Sequence, residues 1–113
     1  KNNITLLGFS QGTNLGLSIA LSYPEKIKNI IGLSGYVNEG ILKEDYHKND
    51  FKNLNIYSSH GTLDQVIPVE WARKTKKFLS NIIPDLTYNE FPVGHGVSPQ
   101  NFYDFKNWLE KNS

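Results

Sequence analysis

The chain has 113 residues, of which 38% are hydrophobic and 12% aromatic, and its formal net charge is +1. This length allows one domain at most, and the composition is sufficient for a packed core. The near-neutral charge gives no reason to expect a nucleic acid or an anionic membrane as a partner, and no apolar run is long enough to span a bilayer. Without cysteine there is no disulfide framework and no thiol nucleophile, which fits a reducing, cytoplasmic compartment.

The most informative stretch lies near the start of the sequence. Residues 4–7 form a continuous apolar run, which is typical of a parallel strand buried on both faces. This run leads into Gly-Phe-Ser-Gln-Gly at residues 8–12, and a helical pattern that is apolar nearly all round follows. We expect that helix to be buried and to end near Pro24, because the residue before a proline disfavours helical geometry.

A strand, a Gly-x-Ser-x-Gly pattern and a helix in this order indicate a nucleophile elbow. Such a turn is so tight that its serine is strained, and we expect Ser10 to be presented in this way at the tip of the strand. Gly8 and Gly12 would be required because a Cβ at either position would collide with the neighbouring strand or helix. The backbone N–H of Gln11 would lie beside Ser10 at the start of the helix, where developing negative charge is favoured.

Apolar runs at residues 27–35 and 54–59 and an alternating pattern at residues 86–91 indicate three further strands. The connection between the first two of these, residues 35–53, is long and polar, and such connections in a compact domain are usually functional or mobile. It would lie near the strand ends, so both a pocket wall and a plain surface excursion remain open. Its scattered apolar residues are Tyr36, Ile41, Leu42, Tyr46 and Phe51.

Two further helices are indicated by apolar residues at helical spacing. The first has Pro68 in its first turn and ends before Pro84, and the second has Ser98 as its N-cap and Pro99 at its first position. The second helix is expected to bury a stripe that consists of Phe102, Phe105, Trp108 and Leu109. The first carries a basic run without interleaved aromatic residues, which we interpret as a solvated face. Its members are Arg73, Lys74, Lys76 and Lys77.

This alternation predicts an α/β fold with a parallel sheet and helices on both faces. In such folds the ligand site lies outside the carboxyl ends of the strands. Ser10, Asp64 and His95 each follow such an end, after the first, third and fourth predicted strands. Their order along the chain is that of α/β-hydrolases, and not that of chymotrypsin or subtilisin. We therefore predict a catalytic triad at this edge of the sheet.

The three side chains suit nucleophilic catalysis. A serine hydroxyl is a poor nucleophile at neutral pH, so His95 would take the proton of Ser10 as general base and return it to the leaving group. Asp64 would hold the imidazole in the useful tautomer and stabilise the imidazolium. Gly94 and Gly96, on both sides of His95, would let the loop bend the ring towards Ser10.

Other titratable residues could compete for these roles. His60 follows the third strand directly but precedes Asp64, and we interpret it as a structural residue whose ring orders the turn that carries Asp64. His47 lies in the polar excursion, where we expect exposure to solvent. Asp85 and Glu90 are the rival acids, but neither lies at the carboxyl end of a strand. No group of His, Asp and Glu residues in the sequence has metal-ligand spacing.

Three motifs are more specific than a bare elbow. They are Gly-Phe-Ser-Gln-Gly at residues 8–12, His-Gly-x-x-Asp-x-Val-Ile-Pro at 60–68 and Gly-His-Gly-Val at 94–97. Together they resemble the C-terminal half of the phospholipase/carboxylesterase family of α/β-hydrolases, which includes bacterial carboxylesterases and acyl-protein thioesterases. The resemblance implies the same triad, with the Gln11 N–H as one oxyanion donor. It also implies small, soluble enzymes without cofactors that act on small-molecule esters or thioesters.

A member of this family would be about twice as long, with further strands ahead of Lys1. We therefore expect residues 1–113 to be a single, partial α/β-hydrolase domain. The rest would carry the second oxyanion donor and the strand that pairs with residues 4–7, which otherwise form an open apolar sheet edge. Since the loss of one oxyanion donor costs roughly 100- to 1,000-fold in rate, we expect weak activity or none from this segment alone.

Two other interpretations remain open. A serine peptidase of the same fold would use the same residues, and such enzymes often carry an N-terminal propeller or a large cap. A non-catalytic hydrolase-fold module would bind a ligand or partner; such modules usually lack a triad member, whereas all three are present here. The apolar residues within 35–53 favour an apolar acyl pocket, but the acyl chain, the leaving group and the oligomeric state are not specified by the sequence.

Overall fold

A computed structural model describes residues 4–38, 42 and 45–112. Four β-strands and three α-helices alternate along this part of the chain. The strands are β1 (Ile4–Phe9), β2 (Ile27–Leu33), β3 (Asn55–Gly61) and β4 (Asp85–Phe91), and the helices are α1 (Gln11–Ser22), α2 (Val69–Ser80) and α3 (Pro99–Asn112). A short 3-10 helix, Tyr46–Lys48, lies in the connection between β2 and β3.

The four strands form one parallel sheet in the order β1-β2-β3-β4. Successive side chains of a strand point to opposite faces of the sheet. Helices α1 and α2 pack on one face, and α3 packs on the other. The predicted fold, a parallel sheet with helices on both faces, is therefore confirmed. Because the strands are parallel, their carboxyl ends all lie at one edge, where β1, β3 and β4 pass into the segments that carry the predicted site.

The larger part of the core lies between the sheet and helices α1 and α2. Ile30 of β2 and Ile56 of β3 pack in one cluster with Leu17 and Leu21 of α1 and Leu79 of α2, and all five side chains are fully buried. Burying an aliphatic side chain of this size contributes about 1.5–3 kcal/mol relative to leaving it exposed. The two central strands are thus held firmly, and they support the edge at which the site lies.

The opposite face contains a polar network beneath α3. Asn101 of α3 donates from Nδ2 to the Ser59 hydroxyl at 3.0 Å and to the Tyr57 hydroxyl at 3.2 Å, both on β3. The Tyr57 hydroxyl donates to Asp104 at 2.6 Å, and Asn89 of β4 donates to the same carboxylate oxygen at 2.6 Å. Burial and the adjacent Asp104 raise the pKa of Tyr57. The network ties the first turns of α3 to the two strands that precede the loops carrying Asp64 and His95.

β1 lies at the edge of the described sheet and is less covered than predicted. It pairs with β2, and its other edge has no partner strand among the residues described. Leu7 is 59% exposed and Phe9 41%, and α1 leaves Leu15 and Ile19 exposed as well. The predictions that β1 would be buried on both faces and α1 nearly all round are therefore wrong, because no described element covers these four side chains.

The helices differ from the prediction at two positions. Phe102 is 47% exposed, and its neighbour Asn101 occupies the buried position instead, where its amide bonds to β3. Pro68 has a ψ of 140° and caps α2 instead of forming its first turn. Ser98 is the N-cap of α3 as predicted, since its Oγ accepts the N–H of Asn101 at 3.1 Å. The basic run of α2 is exposed, as predicted for a solvated face.

The connection between β2 and β3 is both a pocket wall and a cover for the core. Its first residues, Tyr36 and Val37, line a cavity of about 330 Å³ against α2. Ile41 lies outside the described residues. Later residues pack against the core between the sheet and α1 and α2, namely Leu42, Tyr46 and Phe51.

Helix α1 starts very close to the end of β1. A Cβ added at Gly8 would lie 2.6 Å from the backbone C and O of Gly12 and 2.7 Å from the N of Thr13, so Gly8 is required as predicted. A Cβ added at Gly12 meets nothing within 4 Å, so the collision predicted there is wrong. The backbone of Gly12 occupies the space that a side chain at residue 8 would need, whereas Gly12 itself has space for a side chain.

This asymmetry gives a matched pair of variants. Gly8→Ala is expected to lower the free energy of unfolding by about 1–3 kcal/mol, because backbone must shift to admit the methyl group. Gly12→Ala should leave stability unchanged or raise it by up to about 1 kcal/mol, because alanine favours a helix over glycine. Urea unfolding followed by circular dichroism measures both, and equal destabilisation by the two variants would contradict the packing described here.

Candidate active site

Ser10 connects the end of β1 to the start of α1. Its backbone φ is 58° and its ψ is −121°. This is a conformation that residues with a side chain rarely adopt, so the predicted strain at Ser10 is confirmed. The Ser10 N–H donates to the carbonyl oxygen of Leu33 at 2.8 Å. The bond ties the turn to the end of β2 and keeps Ser10 at the carboxyl edge of the sheet.

Thr13 supports this turn from within. Its side chain is fully buried, and its Oγ1 lies 2.8 Å from the carbonyl oxygen of Gly8 and 2.7 Å from that of Leu33. The hydroxyl therefore links the ends of β1 and β2 to α1. Gly35 leaves room for this arrangement, because a Cβ there would lie 2.5 Å from the Cβ of Thr13 and 2.7 Å from the carbonyl oxygen of Ser10.

Asp64 lies in the turn that follows β3, and its side chain is inaccessible to solvent. Its Oδ1 accepts the backbone N–H groups of Val66 and Ile67, both at 2.8 Å. Its Oδ2 lies 2.8 Å from Nδ1 of His95. The turn thus holds one carboxylate oxygen through the backbone and directs the other towards the imidazole.

His95 lies between Asp64 and Ser10. Its Nδ1 is 2.8 Å from Asp64 Oδ2, and its Nε2 is 3.0 Å from Ser10 Oγ. Because a carboxylate only accepts hydrogen bonds, Nδ1 carries the hydrogen in the neutral ring, and Nε2 is left to accept the Ser10 hydroxyl. The ring of Phe9 packs against the imidazole, with ring centroids 5.0 Å apart. The three residues predicted as a triad are therefore brought into one hydrogen-bonded chain.

The surroundings of Asp64 favour its charged form. Burial alone would raise the pKa of this carboxyl, but the hydrogen bond from His95 and the amides of Ile67 and Val66 outweigh burial. The net effect lowers the pKa below its ordinary value. Asp64 is consequently an anion at neutral pH, and its charge lies next to the imidazole on which a positive charge would form.

The other candidates for the base and the acid make no contact with Ser10 among the described hydrogen bonds. His60 is fully buried, with Nε2 2.8 Å from the Ile67 carbonyl oxygen and 3.3 Å from Asp64 Oδ2, which agrees with a role in ordering the Asp64 turn. His47 is exposed, as expected. Glu90 binds Arg73 through both carboxylate oxygens, at 2.8 and 2.9 Å. Asp85 begins β4, at the edge of the sheet opposite to the site.

The His95 loop depends on a glycine other than the two predicted. A Cβ added at Gly96 meets nothing within 4 Å, one at Gly94 meets a single atom at 3.9 Å, and neither glycine has a positive φ. The prediction that these glycines bend the loop therefore finds no support. A Cβ at Gly61 would instead run into the carbonyl oxygens of Val93 and Gly94. The bare backbone at the end of β3 is what lets the loop approach the site.

Sequence reasoning missed three residues that support the site, namely Phe9, Thr13 and Gly61. In the sequence, Thr13 carries no signal beyond its place in the first turn after the elbow, and Phe9 stands out only as part of the motif. Gly61 directly follows His60 in the second motif, so its position beside a candidate residue was a usable signal. Each acts through a partner distant in sequence, which no local pattern records.

Within residues 4–38, 42 and 45–112, no group of three or more His, Cys, Asp or Glu side chains is arranged to hold a metal ion. Over the same residues, no helix has the length and apolar character needed to cross a membrane.

Comparison with known proteins gives one family. Residues 1–113 match the model of the phospholipase/carboxylesterase family. Acyl-protein thioesterase 1 of Saccharomyces cerevisiae is 34% identical over 115 residues, which cover 96% of this chain and 49% of that protein. The fold is similar to the Bacillus cereus carboxylesterase, with a TM-score of 0.84 and 20% identity over 99% of this chain and 51% of that one. It is also similar to Zea mays acyl-protein thioesterase 2, with a TM-score of 0.81, 21% identity, and 94% and 54% of the two chains covered.

The chain therefore belongs to the phospholipase/carboxylesterase family of α/β-hydrolases, and the family resemblance seen in its sequence is confirmed. The chain spans about half the length of the relatives it matches. The fold of the solved relatives agrees with the parallel sheet described above.

The buried carboxylate gives a pH-dependent prediction. Because the pKa of Asp64 is lowered in the folded state, its contribution to stability is complete above the unfolded pKa of about 3.9 and is lost as the pH falls below that value. Asp64→Asn should therefore cost about 1.5–3 kcal/mol at pH 7, and the difference from the parent should shrink towards pH 2. Urea unfolding across this pH range measures it.

Asp85→Asn is the matched control, since Asp85 is exposed at the start of β4. It should change stability by less than about 0.5 kcal/mol at every pH. A difference between Asp64→Asn and the parent that stays constant down to pH 2 would contradict the charge argument.

Proposed function

We propose that this chain carries the nucleophile, the acid and the base of a serine hydrolase that cleaves carboxylic esters or thioesters through an acyl-enzyme. The observation that carries the proposal is the position of His95, with Nε2 3.0 Å from Ser10 Oγ and Nδ1 2.8 Å from Asp64 Oδ2. A nucleophile bonded to a base that is itself oriented by a third group is the arrangement that this chemistry requires.

The proposed reaction has two halves. In the first, Ser10 Oγ attacks the acyl carbon while its proton passes to His95 Nε2, and the tetrahedral intermediate then expels the alcohol or thiol, which takes that proton. In the second, water attacks the acyl-enzyme and gives a proton to His95. The second intermediate releases the carboxylic acid, and the proton returns to Ser10. Asp64 stabilises the imidazolium in both halves and is not itself protonated.

The oxyanion of each intermediate would be bound at the start of α1. Gln11 is the first residue of that helix, and the first N–H groups of a helix lack partners within it. We therefore propose the Gln11 N–H as one oxyanion donor, assisted by the partial positive charge at the helix N-terminus. The family resemblance implies a second donor from outside this chain.

The substrate class follows from the relatives and from the cavity beside the elbow. The relatives are named as thioesterases and carboxylesterases, so we propose a small-molecule thioester or ester of a carboxylic acid. Tyr36, which lines the cavity with Trp71 and Phe78, directly follows Gly35, the glycine that packs on Ser10. A wall of aromatic rings that begins one residue after Gly35 suits an apolar acyl chain.

We also propose that residues 1–113 form one part of a single α/β-hydrolase domain. The chain spans about half of its relatives, and β1 has a free edge among the described residues. Leu7 and Leu15 are 59% and 58% exposed. A further strand beside β1 would pair its free backbone groups and cover apolar surface that is unfavourable in water.

The first test is covalent labelling of Ser10 in the protein that carries this chain. A fluorophosphonate is expected to add one adduct by intact mass, and Ser10→Ala should abolish it. His95→Ala should slow labelling by at least about a thousandfold, because the triad members act as a unit. His47→Ala is the control histidine, because His47 is exposed and takes no part in the hydrogen bonds among Ser10, His95 and Asp64, and this variant should label at the parent rate.

The results of this labelling experiment distinguish a serine hydrolase from the alternative interpretations. Labelling that survives Ser10→Ala would contradict Ser10 as the nucleophile. A folded protein that binds a ligand but takes no adduct would favour a non-catalytic module of this fold.

The second test concerns the rest of the domain. Residues 1–113 alone should be labelled roughly 100- to 1,000-fold more slowly than the same residues joined to the part of the domain that completes the sheet, since one oxyanion donor would be absent. Equal rates for the two, with circular dichroism showing both to be folded, would contradict the proposed division of the site.

A further inference from the structure

His60 touches the same carboxylate as His95 and is not used by the mechanism above. Its side chain is 0% exposed, and its Nε2 lies 2.8 Å from the carbonyl oxygen of Ile67 and 3.3 Å from Asp64 Oδ2. Two imidazoles therefore meet one carboxylate oxygen from different sides, His95 from the loop after β4 and His60 from the end of β3.

The contacts of His60 define its tautomer. A backbone carbonyl only accepts hydrogen bonds, so the neutral ring must carry its hydrogen on Nε2. The other ring nitrogen, Nδ1, is buried and has no hydrogen-bond partner among the residues described. The Nε2–H group therefore donates to the Ile67 carbonyl oxygen. Its nitrogen also lies 3.3 Å from Asp64 Oδ2, so the N–H dipole is close to the carboxylate oxygen that accepts Nδ1–H of His95.

We propose that His60 is a positioning residue that limits how strongly Asp64 supports His95 as the base, an inference that rests on the proposed function of the site. An N–H group 3.3 Å from Oδ2 draws part of the carboxylate charge to itself, which leaves less for the bond to His95. Removing it should strengthen the bond between Asp64 and His95 and favour the imidazolium. The carboxylate should stay in place, because the Val66 and Ile67 amides still hold Oδ1.

The other charges around these rings keep their state over the useful pH range. Glu90 is the register neighbour of His60 on β4, and its hydrogen bonds to Arg73 of α2 lower its pKa to about 2. Arg73 remains a cation throughout. From the β1 side His95 meets only the Ser10 hydroxyl and the Phe9 ring among the described contacts. A shift of the pH profile near neutrality can therefore be assigned to the two histidines and Asp64.

The test compares three substitutions of His60 in the protein that carries this chain. His60→Gln can place an amide N–H near the position of Nε2 and should behave as the parent. His60→Leu and His60→Asn remove that donor, the first by an apolar side chain of similar size and the second by an amide too short to reach. For these two, the acid limb of kcat/KM against pH for an activated ester should move up by about half a pH unit. The plateau rate should change less than about threefold, because Oδ1 remains held.

Proton NMR supplies a second measurement that needs no turnover. The low-field Nδ1–H signal of His95 should move further downfield in His60→Leu and His60→Asn and stay in place in His60→Gln. If His60→Leu fails to fold, His60→Asn and His60→Gln carry the comparison. Folded variants that lose rate together without moving the acid limb or the proton signal would overturn the proposal and leave His60 a purely structural residue. A parent protein without activity but with the expected NMR shifts would refute the proposed function and not the coupling of His60 to Asp64.

Discussion

The buried charge of Asp64 is the interaction on which the arrangement of the site depends. A carboxylate withdrawn from water costs several kcal/mol unless donors surround it. Here the donors are the amides of Val66 and Ile67 and the ring of His95, and the ring of His60 contacts the carboxylate at 3.3 Å. They come from the turn after β3, the loop after β4 and β3 itself. The contacts that stabilise the Asp64 charge therefore fix three segments relative to one another. The same contacts orient the ring of His95.

The parallel sheet makes this convergence possible. Phe9, Leu33, Ser59 and Asn89 are aligned across the four strands, so the segments that follow β1, β3 and β4 leave the sheet at the same level. Side-chain hydrogen bonds then hold in place the segments that the strand register brings together. Thr13 ties the elbow to the ends of β1 and β2, and the polar network beneath α3 ties the helix after the His95 loop to β3 and β4. The site thus rests on elements that pack on both faces.

Much of this could be predicted because the signals are local. Parallel strands buried on both faces leave continuous apolar runs, and the triad is tied to strand ends, so fold class and candidate residues could both be read from the sequence. The periodicity of apolar residues shows that one face of a helix is apolar, but it does not show whether another element covers that face. For this reason the exposure of Leu15 and Phe102 could not be predicted. Asn101 was missed for the converse reason, since its burial depends on partners 42 and 44 residues away.

The two tasks expected of the site, proton transfer and stabilisation of an oxyanion, would depend on different parts of the protein. The proposed proton transfer would use Ser10, His95 and Asp64. Ser10 and His95 are 85 residues apart in sequence, and all three residues lie within the part of the chain that the structure describes. Stabilising an oxyanion would require donors that converge from two directions, and the elbow would supply one of them, the proposed donor at Gln11. In the proposed mechanism the basicity of the imidazole is therefore a local property of the carboxylate and its donors, whereas stabilisation of the transition state would depend on completing the sheet beside β1. The proposal thus makes activation of the serine and turnover of a substrate physically separable.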